Sequence, residues 1–282
     1  LPRTLLCIAV GGILGLCGAV MQGLFRNPLA DPGIIGVSGG AALGAALAIV
    51  LLAPLGQQLQ SLLGLGLLPL LAFLGGALTT TLVYLLGTRE GGTSVTVMLL
   101  AGVAITALSG AVIGLLTYLA DDQMLRNLSL WQMGSLAAGK PVDVGLALAT
   151  LVALLWLFMR DANPLNALLL GEGEARHLGV NVQCLKRRLI LLTAAGVGVA
   201  VAVAGMIGFV GLVVPHLVRL LAGPNHVRLL PLSALLGAAL LLGADMLART
   251  LLAPAEMPVG IITALLGAPF FIWLLVKSRR TL

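Results

Sequence analysis

Three groupings in this sequence have the residue types and spacing that chemistry can use. Gly36-Val37-Ser38-Gly39-Gly40 satisfies the G-x-S-x-G pattern of a serine nucleophile, and His216 is the histidine nearest an apolar stretch. A nucleophile needs a base within hydrogen-bond reach, so an intramembrane serine protease using Ser38 and His216 is one reading. The other is structural: Pro32-Gly33 turns the chain, Ser38 caps or begins a helix, and the glycines pack. Gly134 to Pro141 is one residue short of a Walker A loop, but Pro141 stands where a hydroxyl must hold Mg²⁺ and no strand precedes it. ATP, if used, is therefore expected on another subunit. Asp245 and Arg249, four apart on one predicted helix, can pair on a common face. Intramembrane charges are costly and mark either an ion pair or a pathway, so an ion-coupled carrier using Asp245 is a further reading. Cys7, Cys17 and Cys184 read as spare thiols, the methionines as core filler, and no metal site is expected.

The elements that must position these residues follow from composition. Of 282 residues, 60% are hydrophobic and 9% charged, with a mean hydropathy of +1.13. A soluble domain carries about a quarter charged residues. A water-soluble enzyme, a secreted disulfide scaffold and a disordered chain are therefore excluded. Uncharged runs cover 4–25, 32–88, 91–120, 144–159, 189–218, 229–244 and 257–276, against the roughly 20 residues a spanning helix needs. The first is too long for the apolar part of a signal peptide and reads as a retained helix. The run 32–88 must divide at the polar stretch from Pro54 to Ser61, giving helices near 36–53 and 62–87. Further spans are predicted near 93–118, 142–159, 229–249 and 259–277, and 121–140 is predicted to be a loop with a short surface helix. In 189–218 the interruptions at Gly205, Gly208, Gly211 and Pro215 predict a full helix, a reversal and a half-helix near 213–222. The expected fold is all-α: a polytopic membrane helix bundle of nine spans forming one domain over residues 1–282.

Charge placement orients the bundle. With nine spans, Arg26, Arg89, Arg160, Arg176, Lys186, Arg187, Arg188, Arg219, Arg228, Lys277, Arg279 and Arg280 fall on one side, leaving Arg3, Arg126, Lys140 and Arg249 opposite. The positive-inside rule makes the first side cytoplasmic, with the C-terminus there and the N-terminus outside. Leu1-Pro2-Arg3-Thr4 reads as the start of a helix already under way, so one upstream helix is expected to be missing. The net charge of +6 thus reports topology; the basic residues flank helices instead of clustering as a nucleic-acid surface does.

The loop after Arg160 runs Asn163 to Gly179 and is polar and long enough for two short helices separated by Gly171 to Gly173. It is expected to expose Leu178 and Leu168 to Leu170 with no lipid to cover them, as a short helix fitting a groove on a soluble partner does.

Gly171-Glu172 followed by Ala175, Leu178 and Gly179 resembles the coupling motif of permease subunits in binding-protein-dependent ABC importers. Gly18-Ala19-Val20-Met21-Gln22, Asn27-Pro28-Leu29-Ala30-Asp31-Pro32-Gly33, Gly36 to Ala41, Gly208 to His216 and Gly267-Ala268-Pro269 resemble the iron-siderophore, heme and vitamin B12 permease family. The similarity runs from Leu1 to about Lys277. Ser129 to Leu136 and the blocks around Ala222 to His226 and Ala253 to Pro258 look most like its hemin branch. The resemblance implies a ten-helix subunit, of which nine helices are present, forming a homodimer on two cytoplasmic ATP-binding subunits in the bacterial inner membrane. It implies ATPase coupling through the 164–179 loop, by Gly171, Glu172, Ala175, Arg176, Leu178 and Gly179, and docking of a periplasmic heme-binding protein on Arg3 and Arg249. Asp245 then becomes a local partner of Arg249. Heme is the implied transported substrate, ferric siderophore or cobalamin the alternatives. No cofactor is held covalently, and ATP belongs to the partner subunit. His216 and His226 are candidate pathway or heme contacts, with a structural Pro-His and a solvated loop histidine as the competing readings.

Overall fold

In hydrocarbon a backbone must satisfy its own hydrogen bonds, so long apolar runs become helices. The structure, a computed structural model, describes residues 1–52, 66–89, 92–137 and 139–278. The polar stretch Pro54 to Ser61, residues 62–65 of the predicted third span, Glu90, Ala138, Arg279 and Arg280 lie outside the described residues. The helices are α1 (Pro2–Leu24), α2 (Val37–Val50), α3 (Leu67–Gly87), α4 (Val95–Leu119), α5 (Asp122–Gln132), α6 (Pro141–Arg160), α7 (Ala162–Leu170), α8 (Glu172–His177), α9 (Val182–Ala204), α10 (Val210–Ala222), α11 (His226–Thr250) and α12 (Val259–Ser278). A two-residue hairpin, β1 (Thr88–Arg89) with β2 (Gly92–Thr93), joins α3 to α4, Thr88 opposite Thr93.

Among the described residues, α1, α3, α4, α6, α9 and α11 are long and apolar enough to cross a membrane, and α2, α10 and α12 supply shorter apolar helices. These match the nine predicted spans in order, and the chain is a multi-pass membrane protein. The ambiguous stretch resolves as expected, with Gly205 and Phe209 at positive φ reversing the chain into α10. The boundary that differs most is the start of α9: the helix predicted from 189 begins at Val182. Asn181 caps it by accepting from the Cys184 amide, and Lys186 and Arg188 find carboxylate partners, so charge does not end it. The short helix predicted between Asp121 and Lys140 is α5, capped by Asp121 on the Met124 amide.

Helix α1 is the hub. It is buried from Leu6 to Leu24 with little interruption and packs most extensively on α11, then on α10, α6 and α9. Small residues let membrane helices approach closely. At Gly11 a side chain would overlap the Gly237 carbonyl of α11, and at Gly44 of α2 it would overlap the Leu71 carbonyl of α3. Gly18 of α1 is closer still, against the Gly211 carbonyl of α10, so small residues set the close approaches of α1 and α2 to their neighbours.

Candidate functional site

Polar chemistry gathers at the two ends of the bundle. At the end where α1 begins, the α1–α11 contact carries Arg3 onto Asp245. The Arg3 guanidinium donates from Nε to Asp245 Oδ1 at 2.9 Å and Oδ2 at 3.2 Å, and from NH2 to Oδ1 at 2.8 Å. Its NH1 reaches Glu256 Oε2 at 2.7 Å. Arg249 approaches Asp245 Oδ2 at 3.2 Å. Asp245 is 1% exposed, Arg3 22% and Arg249 41%. The sequence paired Asp245 with Arg249 alone; the structure makes Arg3, from another helix, its fuller partner. A desolvated carboxylate held by two arginines is an ion-pair site, and the carrier reading of Asp245 loses its free acid.

At the opposite end, α7 and α8 form the short helical pair expected after Arg160. Gly171, at φ 125°, is the single break, and Gly173 lies inside α8. This corrects the expected separator, Gly171 to Gly173. Gly179, at φ 84°, ends the segment, its amide donating to Arg176 and that of Val180 to Ala175. A left-handed residue closing a helix this way is ordinarily glycine. Ala175 is buried, while Leu169, Leu170, Arg176 and Leu178 are exposed. Leu168 was expected with the exposed run, but it is buried, since one face of α7 packs on α1 and α11. Glu172 Oε1 accepts from Lys186 Nζ at 2.6 Å. Asp161, between α6 and α7, pairs with Arg188. Burial raises its carboxyl above the ordinary range, against the opposing pull of Arg188 and Arg160.

His226 differs most from its sequence reading. It is fully buried at the start of α11, not a solvated loop residue. Its backbone amide donates to Asn166 Oδ1 at 2.8 Å, and its Nδ1 lies 2.9 Å from the same oxygen. An amide oxygen only accepts, which places the ring proton on Nδ1. Asn166 returns a bond from Nδ2 to Asn225 Oδ1 at 2.9 Å, and the His226 Nε2 edge lies against Gly23, where a side chain would collide with it. The ring thus ties α11 to α7 and α1. His216, following Pro215 within α10, is half-buried and meets Phe270 edge-on at 6.3 Å between centroids.

Ser38 lines an open cavity of about 590 Å³ with Asp31, Gly33, Gly102, Thr106 and Met206. Among the described residues no hydrogen bond joins it to His216, which removes the nucleophile–base pair of the protease reading. The Walker-like segment is spent on packing: the Ser135 amide donates to the Ala204 carbonyl at 2.8 Å, Gly134 abuts Met206, and Pro141 opens α6. Sequence reasoning missed Lys186, Gln22 and Asn166. Gln22, buried in α1, accepts from Arg219 and donates to the Leu212 carbonyl; its signals were a polar residue inside an apolar run and its place in the Gly18 to Gln22 motif.

Comparison with known proteins places this geometry. The Yersinia pestis protein described as hemin transport system permease protein HmuU is 50% identical over 283 aligned residues, covering 99% of this chain and 82% of that one. The Klebsiella pneumoniae vitamin B12 import system permease protein BtuC is 43% identical, covering 99% of this chain and 81% of that protein. A solved metal-chelate type ABC transporter in an inward-facing conformation superposes with a TM-score of 0.87 at 37% identity, over 98% of this chain and 85% of that one. The profile of the FecCD transport family matches residues 1–277. With nine apolar helices in the expected order among the described residues and its polar groups at the two ends, the chain belongs to the FecCD transport family of membrane permeases.

Proposed function

We propose that this chain is the permease subunit of an ATP-driven importer that carries heme across the bacterial inner membrane. The observation that carries the substrate is the 50% identity to a hemin permease across nearly the whole chain. Two copies form the pore, with the C-terminus on the cytoplasmic side and residues 1–282 acting as one transmembrane domain. Two ATP-binding subunits seat on α7 and α8, where Leu170, Arg176 and Leu178 are exposed next to the buried Ala175. Gly171 and Gly179 supply the positive-φ turns that bound α8, and Glu172 anchors it. A periplasmic heme-binding protein docks at the other end, its carboxylates meeting Arg249 and the exposed edge of Arg3.

The chain itself performs no covalent step. ATP binding and hydrolysis on the partner shift the equilibrium between outward- and inward-open packings, which requires that each nucleotide state favour one packing in free energy. The test is ATPase stimulation in proteoliposomes holding the whole complex with heme, a ferric siderophore or cobalamin on the matching binding protein. Heme is expected to stimulate and to accumulate inside. Stimulation by cobalamin alone would move the substrate to the branch represented by the B12 permeases.

A further inference from the structure

Lys186 sits in the second turn of α9, is 3% exposed, and bridges two segments far apart in sequence. Its ammonium donates to Glu172 Oε1 on α8 at 2.6 Å and to the Thr93 carbonyl of β2 at 3.1 Å. Lysine has donors and no acceptor, so two acceptors from different elements converge on one buried cation. Three residues earlier on the same face, Gln183 Oε1 accepts from the Thr93 amide at 3.0 Å, and its amide group fills the space a side chain on Gly92 would need. The hairpin is therefore seated on α9 through both backbone groups of Thr93. Immediately after it Ser94 caps α4, whose Gly102, Val103 and Thr106 line the open cavity beside Asp31 and Ser38.

We propose that Lys186 is the positioning residue that carries movement of α8 to the β1–β2 hairpin and so to α4. This rests on the reading of 164–179 as the ATPase-coupling segment. If Glu172 moved alone, it would strand a buried ammonium on one carbonyl, a costly arrangement. The low-energy course is for Glu172, Lys186 and Thr93 to move as a unit. Because Thr93 contributes its backbone, the hairpin itself follows, and α4 shifts at the cavity wall.

The test uses the reconstituted complex with Cys184→Ser and a spin label at Glu174→Cys on α8 or Val97→Cys on α4, reading the distance between the two copies with and without ATP. In the otherwise unaltered protein both labels are expected to move. In Lys186→Met the Glu174 label keeps its shift, the Val97 label loses it, and transport per ATP falls at least about fivefold; Lys186→Arg restores part of both. Normal shifts at both labels with unchanged transport per ATP in Lys186→Met would overturn the proposal. If Lys186→Met does not assemble, Glu172→Gln is read in its place, and an intact Val97 shift there overturns the proposal equally. Absence of any ATP-driven shift at Glu174 in the unaltered protein is a different result: it overturns the coupling reading itself, and the proposal with it.

Discussion

Arg3 and Asp245, 242 positions apart, hold each other through both guanidinium Nε and NH2, at 2.9 and 2.8 Å. The contact pins the first turn of α1 to the last turns of α11, along the helix pair with the most extensive packing in the bundle. Removing one partner of a buried pair costs about 3–5 kcal/mol, while an exposed pair is worth about 1 kcal/mol or less. Arg3→Ala is therefore expected to lower the melting temperature of the detergent-solubilised protein clearly more than Arg249→Ala, since Arg249 is the more exposed partner. Equal losses would mean that Arg3 does not dominate the site.

Glu256 is half exposed and shares Arg3 with Asp245. A docking protein's carboxylate would have to replace it. Charge reversal at Arg3 together with Arg249 is expected to weaken docking, and Glu256→Gln to tighten it up to about fivefold, the equivalent of an exposed ion pair. The measurement is the affinity of the substrate-loaded binding protein for the permease in nanodiscs. No change in either variant would remove this rim as the docking surface.

Asn166 Oδ1 accepts both the backbone amide and the ring nitrogen of His226. Asn166→Ala leaves buried donors unmatched, at about 1–3 kcal/mol for each orphaned group. It is expected to lower thermal stability and to reduce substrate-stimulated ATP hydrolysis. Asn166→Asp, which keeps an acceptor at the same place, is expected to retain more of both, and a ranking in the other order would rule out the acceptor role.

Gly11 and Gly237 meet where a Cβ on either would overlap the other's carbonyl. Gly11→Ala is expected to destabilise the bundle by about 1–3 kcal/mol through overpacking, visible as a lower melting temperature. Gly145, with nothing close to its side-chain position, is the control, and Gly145→Ala in the interior of α6 should not lower the melting temperature.

Ser38→Ala removes the hydroxyl of the G-x-S-x-G segment without enlarging a side chain. Transport within about twofold of the unaltered protein is expected, since among the described residues no hydrogen bond joins Ser38 to His216. Loss of a proteolytic activity in this variant, measured on a membrane-embedded peptide, would revive the protease reading.

Much of this protein was legible in its sequence because membrane folding is governed by short-range rules. The apolar runs had to become helices, and the interruptions at Gly205 and Gly208 marked the reversal before α10. The helical pair after Arg160 was legible in its polar residues and glycines, although the break falls at Gly171 alone and not across Gly171 to Gly173. The N-terminal end of α9 was less legible, because Lys186 and Arg188 look like ordinary loop charges until their partners are known.

What the sequence by itself determined was the order and approximate place of the helices, though not the β1–β2 hairpin, since length, hydropathy and local turn chemistry act over a few residues. It also exposed the Asp245–Arg249 spacing, a contact that one helical turn creates. Only the tertiary structure decided which polar groups are shared across elements: Arg3 with Asp245, Lys186 with Glu172 and Thr93, His226 with Asn166. The reason is physical. An ion pair's strength depends on burial and on the third group that satisfies it, and both arise when distant helices close-pack, which no spacing along the chain records.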